Sequence, residues 1–180
     1  MFSSESLRHK HGGLARSART GARRALPLAG LFLALASLPF PAAAQKARIT
    51  NITDVSFGLI SNLQADSRQS QNICVFSQST GGAYSISASG SGSGSSFALL
   101  SGTNSLAYEV EWSTQSGQTS GTPLSPNVAL TGQTSSAAHQ SCNTGPATSA
   151  SLTIILRGSD LSQASEGSYS GSLTLLVAAE

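Results

Sequence analysis

From Ile49 onward the apolar residues of this chain recur at every second position, and no stretch carries a helical period. Such a chain buries one face of each strand and wets the other, so it must fold as packed sheets. The pattern is clearest over residues 83–89, where Tyr84, Ile86 and Ala88 point one way and Ser85, Ser87 and Ser89 the other. Leu106, Tyr108, Val110 and Trp112 alternate with Ala107, Glu109, Glu111 and Ser113. Leu152, Ile154 and Leu156 share one side of residues 151–157, and Tyr169, Leu173, Leu175 and Val177 one side of residues 169–177. Further strands are predicted over 49–59, which holds the Phe57-Gly58 pair, over 72–77, over 97–100 and, weakly, over 127–130. Polar residues 61–71, 114–125 and 131–147 read as long loops, and 90–94 as a flexible Gly-Ser connection. Seven or so short strands punctuated by turns predict an all-β fold, an immunoglobulin-like β-sandwich.

Residues 1–44 read as a secretory signal peptide. Arg8, Lys10, Arg16, Arg19, Arg23 and Arg24 form a basic region, residues 25–38 are apolar, and Pro39 and Pro41 follow. Ala42, Ala43 and Ala44 ahead of Gln45 supply the small residues that signal peptidase requires, so cleavage is expected between Ala44 and Gln45. The apolar run is shorter than the roughly 20 residues of a membrane span and contains Pro27, which argues against an anchor. Arg23-Arg24 lacks the surroundings of a twin-arginine signal, and the long basic region leaves the true start codon open. The expected mature domain is 45–180, exported through a periplasm to the cell surface or medium, with no membrane span.

The leader also carries most of the positive charge. What remains has Lys46, Arg48, Arg68 and Arg157 against seven acidic residues, a net charge of −3. Four scattered cations give nucleic acid no electrostatic footprint. About a third of the remaining chain is Ser or Thr, a composition compatible with disorder, but the apolar residues cluster in regular β-branched and aromatic runs. Cys74 and Cys142, met in an oxidising compartment, read as one disulfide. Closing that loop adds roughly 3–4 kcal/mol in the chain-entropy model. No metal-ligand set, nucleotide loop or cofactor motif is present in the sequence: residues 90–94 are followed by no Lys and no helix. Glu109 and Glu111 share a face as a catalytic pair would, but they also suit a solvated strand face. His139 is the one base available to a nucleophile and sits in a Ser/Gln-rich loop, so no enzyme is expected.

Several stretches resemble the spore coat protein U family, which includes subunits of archaic chaperone–usher pili. They are Phe57-Gly58, residues 72–77 (NICVFS), residues 84–88 (YSISA), residues 106–112 (LAYEVEW) and residues 167–177 (GSYSGSLTLLV). The resemblance spans nearly all of the mature chain, and the ending, Gly-x-Tyr-x-Gly-x-Leu, is its most specific part. It implies an immunoglobulin-like fold lacking its last strand, lent by a periplasmic chaperone and then supplied by the next subunit at an outer-membrane usher. No hydrophobic strand follows Val177 before Glu180, which fits that expectation. By the same resemblance the strand-acceptor groove would be bordered by Phe57 and Leu59 on one side and Tyr169, Leu173, Leu175 and Val177 on the other.

Two departures from the family matter. Its common first-strand cysteine is absent, so the bridge would be Cys74–Cys142. Only residues 45–48 precede the first strand, too few to fill a neighbour's groove, so unless Ile49 and Ile52 belong to a donor segment the chain would accept a strand rather than supply one, as would a secreted relative that never polymerises. The expected function is a structural and adhesive subunit of a chaperone–usher pilus, terminal or accessory in position, with other pilus subunits as partners. The alternative is a self-complete secreted binding module for carbohydrate or a surface. Asn51-Ile52-Thr53 matches a glycosylation sequon but falls within a predicted strand of a chain with a bacterial leader.

Overall fold

The computed structural model describes residues 45–180; the predicted leader and Ala44 of the predicted cleavage pair lie outside them. Ten strands run Ala47–Thr50 (β1), Ser67–Ser77 (β2), Ala83–Gly90 (β3), Ala98–Ser101 (β4), Asn104–Ala107 (β5), Glu109–Ser113 (β6), Thr122–Pro123 (β7), Leu130–Thr134 (β8), Ala150–Leu156 (β9) and Leu173–Ala179 (β10). A single helical turn, Gly158–Leu161 (α1), follows β9.

One sheet has the order β1-β2-β9-β6-β7, the other β10-β3-β8, and β4-β5 form a separate hairpin. Strands within each sheet pair antiparallel. The order β1-β2-β9-β6 is that of strands A, B, E and D of an immunoglobulin domain, and β10-β3 that of F and C. The fold is therefore an all-β, immunoglobulin-like sandwich. Among the described residues, the place beside F that strand G would take is empty.

The core lies between the sheets, and the alternation in the sequence fills it. Tyr84, Ile86 and Ala88 of β3 face Ile73 and Val75 of β2, Val110 and Trp112 of β6, and Leu152 and Leu156 of β9. Phe97 and Tyr108 stack at 5.6 Å between ring centroids. The Trp112 indole donates a hydrogen bond to the Tyr84 hydroxyl at 3.0 Å, joining the two sheets inside the core. Burial pushes the Tyr84 phenol above its ordinary pKa, and the bond from Trp112 only partly opposes this, so it stays protonated.

On its outer side the five-stranded sheet is covered as well. Cys74 of β2 is bonded to Cys142, tying the long loop between β8 and β9 across that face. Ser151 of β9 donates to Gln115 O at 2.8 Å, under the loop after β6. Ile155 is fully buried on the outer face, where its cross-strand neighbours are Arg68 and Glu109. The stems of those residues close over it while their charged ends stay wet. Arg157 pairs with Glu109 and, at 2.7 Å, with Asp66; Arg68 reaches Glu111 at 3.8 Å. Glu109 and Glu111 thus form part of an ion-pair cluster on a solvated sheet face.

The structure corrects several sequence boundaries. β2 begins at Ser67, inside the stretch read as a loop, because its polar first half faces solvent and the ion cluster. The predicted strand at 106–112 breaks at Tyr108 into β5 and β6, and the weak strand at 127–130 lies later, at β8. Residues 49–59 form a strand only as far as Thr50, and residues 169–172 precede β10 rather than opening it.

Two outcomes are expected. Tyr84→Phe leaves the Trp112 N–H buried without an acceptor and costs about 1–3 kcal/mol in urea denaturation. Acid should weaken the fold through Asp66 and Glu109. The Gly158 amide and then Arg157 hold the Asp66 carboxyl below its ordinary 3.8, and Arg157 holds Glu109 below its ordinary 4.5. Their contribution is present above those unfolded values and is lost as pH falls through the lower folded ones. Melting temperature should therefore fall as pH drops below about 4, and Arg157→Gln should flatten that fall.

Candidate strand-acceptor groove

β1 and β10 are the edge strands of the two sheets, and they lie on the same side of the sandwich. Each is paired on one flank only, β1 with β2 and β10 with β3 over its whole length. The two strands approach each other, and an open cleft of about 520 Å³ lies at one end of that approach, lined by residues 45–48, by Gln140 and by Val177, Ala178 and Ala179 of β10. Along β10, alternate main-chain N–H and C=O groups point away from β3, and no described strand receives them.

The apolar side chains of β10 are caught between core and solvent. Leu173, Leu175 and Val177 pack against the core cluster but remain half-buried, alternating with exposed Thr174, Leu176 and Ala178. In a completed sandwich the inward face of strand F is sealed by strand G. Here that seal is missing among the described residues.

Across the groove, the chain leaves β2 after Thr50. Residues 52–61 belong to no strand and make no main-chain to main-chain hydrogen bond among the described residues. Side chains tether this segment instead: the Thr53 amide and hydroxyl both donate to Gln71 Oε1, at 3.0 and 3.1 Å, and Asn51 Nδ2 donates to Ala147 O at 3.2 Å. Phe57 and Ile60 pack against the core, half-buried.

Of the six residues predicted to border the groove, Leu173, Leu175 and Val177 are at the free edge and Phe57 lies on the core beside it. Leu59 is not a border residue. Gly58 sits at φ +62°, which breaks the alternation, so Ile60 rather than Leu59 returns to the core and Leu59 is 96% exposed. Tyr169 is also misplaced by the sequence reading. It stands at the corner between β9 and β10, packs on the core from there, and its hydroxyl donates to Ser165 O at 3.0 Å. That is the tyrosine corner of immunoglobulin-like folds, a clamp on the connection rather than a groove wall.

The Gly-x-Tyr-x-Gly-x-Leu stretch has a local cause. Ser170 exchanges two main-chain hydrogen bonds with Leu100, at 2.7 and 3.0 Å, which draws the corner against β4. A Cβ on Gly171 would stand 3.0 Å from Ala98 O and 2.7 Å from Ser91 Oγ. A larger residue there would require the Ser91 hydroxyl to turn away and the Ala98 main chain to give by a few tenths of an ångström.

Elsewhere the chemistry is sparse. His139 Nδ1 lies 3.0 Å from the Ser141 hydroxyl, in the loop held by the disulfide. Among the described residues no three His, Cys, Asp or Glu side chains gather as metal ligands, and no helix is long and apolar enough to cross a membrane.

No family model matches the chain, and no curated protein matches it. Solved structures with a partial likeness to it include the following two. One is a chaperone–tip adhesin complex described as vital for synergistic activation of CFA/I fimbriae biogenesis, at TM-score 0.47 and 14% identity over 76% of this chain. The other is the CsuC–CsuE chaperone–tip adhesion subunit pre-assembly complex from archaic chaperone-usher Csu pili of Acinetobacter baumannii, at TM-score 0.40 and 18% identity over 74% of this chain. The chain spans 42% and 39% of those two chains. The immunoglobulin-like assignment stands on the strand order and not on these matches.

The two faces of the first-strand extension should respond differently to truncation. Phe57→Ala is expected to cost about 2 kcal/mol, roughly half the loss of a fully buried Phe, whereas Leu59→Ser should stay within about 0.5 kcal/mol of the parent in urea denaturation.

Proposed function

We propose that this chain is an exported structural and adhesive subunit of a chaperone–usher type pilus, completed by a strand donated from another chain. The observation that carries the reading is the free edge of β10. Its main-chain groups are unpaired on one flank, and Leu173, Leu175 and Val177 are left half-buried beneath the vacancy. An added strand satisfies both deficits at once: backbone hydrogen bonds supply affinity, and alternate side chains filling the gap set the register. The unpaired segment 52–61 on the facing side can accept the donated strand's second flank.

In this reading the leader directs export, and a periplasmic chaperone lends the strand in transit. At an outer-membrane usher, another subunit then replaces the chaperone's strand. The resemblance of the Gly-x-Tyr-x-Gly-x-Leu ending and of residues 72–77 to the spore coat protein U family supports the same assignment. β1 is part of this chain's own sheet, paired with β2 from Ala47, so it is committed as an acceptor wall. A terminal or accessory position suits such a subunit. No catalysis is included: Glu109 and Glu111 face arginines across the outer sheet face, and His139 is engaged with a loop serine.

The test is thermal unfolding of the purified exported chain, alone and with an archaic-type chaperone or with alternating apolar peptides of about ten residues, the length of a long strand. A melting temperature that rises by about 10 °C or more at saturating strand is expected, as for a ligand held well above its Kd. Leu175→Asp should abolish the rise. A stable monomer indifferent to every strand would instead mark a sandwich that needs no partner, a binding module for carbohydrate or a surface.

A further inference from the structure

The described residues contain four cationic side chains, and they are divided between two places. Arg68 and Arg157 are spent on the outer face of the five-stranded sheet, where Asp66, Glu109 and Glu111 surround them. Lys46 and Arg48 line the cleft between β1 and β10. Neither has a carboxylate within 4.0 Å among the described residues. No acidic residue lines that cleft either; its remaining walls are Gln45, Ala47, Gln140 and the end of β10 at Val177, Ala178 and Ala179.

Lys46 and Arg48 are two residues apart, the spacing that sets both on one side of an extended chain. Ala47 and Ile49 take the inward side, so both charges stand on the solvent side of the cleft, at one end of the free edge, where an outward-facing side chain of an added strand would meet them. A neutral strand laid along β10 would fill the apolar part and leave those two charges mutually repelling beside it. A carboxylate on the incoming strand relieves that repulsion and accepts hydrogen bonds from the ammonium and guanidinium groups. Charge complementarity of this kind fixes register and suppresses wrong partners more than it raises affinity.

We propose that Lys46 and Arg48 form a carboxylate-binding subsite that selects and registers a donated strand bearing an acidic side chain or a chain terminus at the 177–179 end of the groove. This rests on the strand-acceptor reading above and adds the chemistry of the donor to it.

The experiment is a binding series on the purified exported chain with fluorescent peptides of about ten residues, the length of a long strand. One peptide carries alternating apolar residues with Gln at both ends. Two others replace a single Gln by Glu, at the first or the last position, with the peptide termini capped. The expected result is that one of the two Glu peptides binds about three- to tenfold more tightly than the Gln peptide, which identifies the strand's direction. That gain should vanish in Lys46→Gln/Arg48→Gln, and should shrink as salt is raised from about 0.05 to 0.5 M. The readout is the ratio of Glu-peptide to Gln-peptide affinity within each variant, so any change in the groove common to both peptides cancels.

Equal binding of all three peptides, or a gain that survives the double variant, would overturn the subsite while leaving the groove intact. Failure of every peptide to bind would remove the groove reading and the subsite together.

Discussion

A main-chain hydrogen bond left unmade at a sheet edge is the constraint on which this structure turns. β10 satisfies one flank against β3 and offers the other to whatever comes. The alternating Leu173, Leu175 and Val177 on that same strand make the edge apolar as well as unpaired. Proteins ordinarily blunt such edges with charge, proline, a bulge or a covering loop. None of those devices is applied along residues 173–179, whose sequence is LTLLVAA. Two cations, Lys46 just ahead of β1 and Arg48 on it, line the cleft without capping the edge itself. The edge is thus left open among the described residues, apolar as well as unpaired.

What holds it open is the rigidity of the opposite side. Trp112 reaches through the core to Tyr84, so the sheet carrying β10 is fastened to the other sheet by a buried hydrogen bond as well as by packing. β9, buried at every position but Ile154, runs down the middle of the five-stranded sheet, with core on one face and serine, threonine and Ile155 on the other. The corner at Tyr169 and the Ser170–Leu100 bonds fix where β10 starts. Among the described residues this order ends at the free flank of β10.

Much of this was legible in the residues. Period-two alternation places Tyr84, Ile86 and Ala88 inward, and Val110 with Trp112, because a half-wet strand writes its two faces directly into sequence. Other parts were written in terms that alternation cannot express. Thr53 to Ile60 alternates as a strand does, yet Gly58 turns the chain at positive φ and reverses which of Leu59 and Ile60 is covered. Ser67 to Gln71 reads as a loop because both its partners, a neighbouring β-strand and a cluster of charges, are distant in sequence. Tyr169 carries the right side chain and the right parity for a groove wall; its role depends on a hydrogen bond to Ser165 that no periodicity reveals. Lys46 and Arg48 looked scattered until β1 and β10 were seen to share a cleft.

The Cys74–Cys142 bond has a consequence for when this chain can become compact. It joins β2 to a loop 68 residues away, and a cross-link over such a span removes on the order of 4 kcal/mol of freedom from the unfolded chain. That is a large share of the roughly 5–15 kcal/mol that holds a domain of this size together. A reducing cytosol withholds it. The thiol form has correspondingly less margin, so the compactness of the sandwich and the oxidation state of Cys74 and Cys142 are linked.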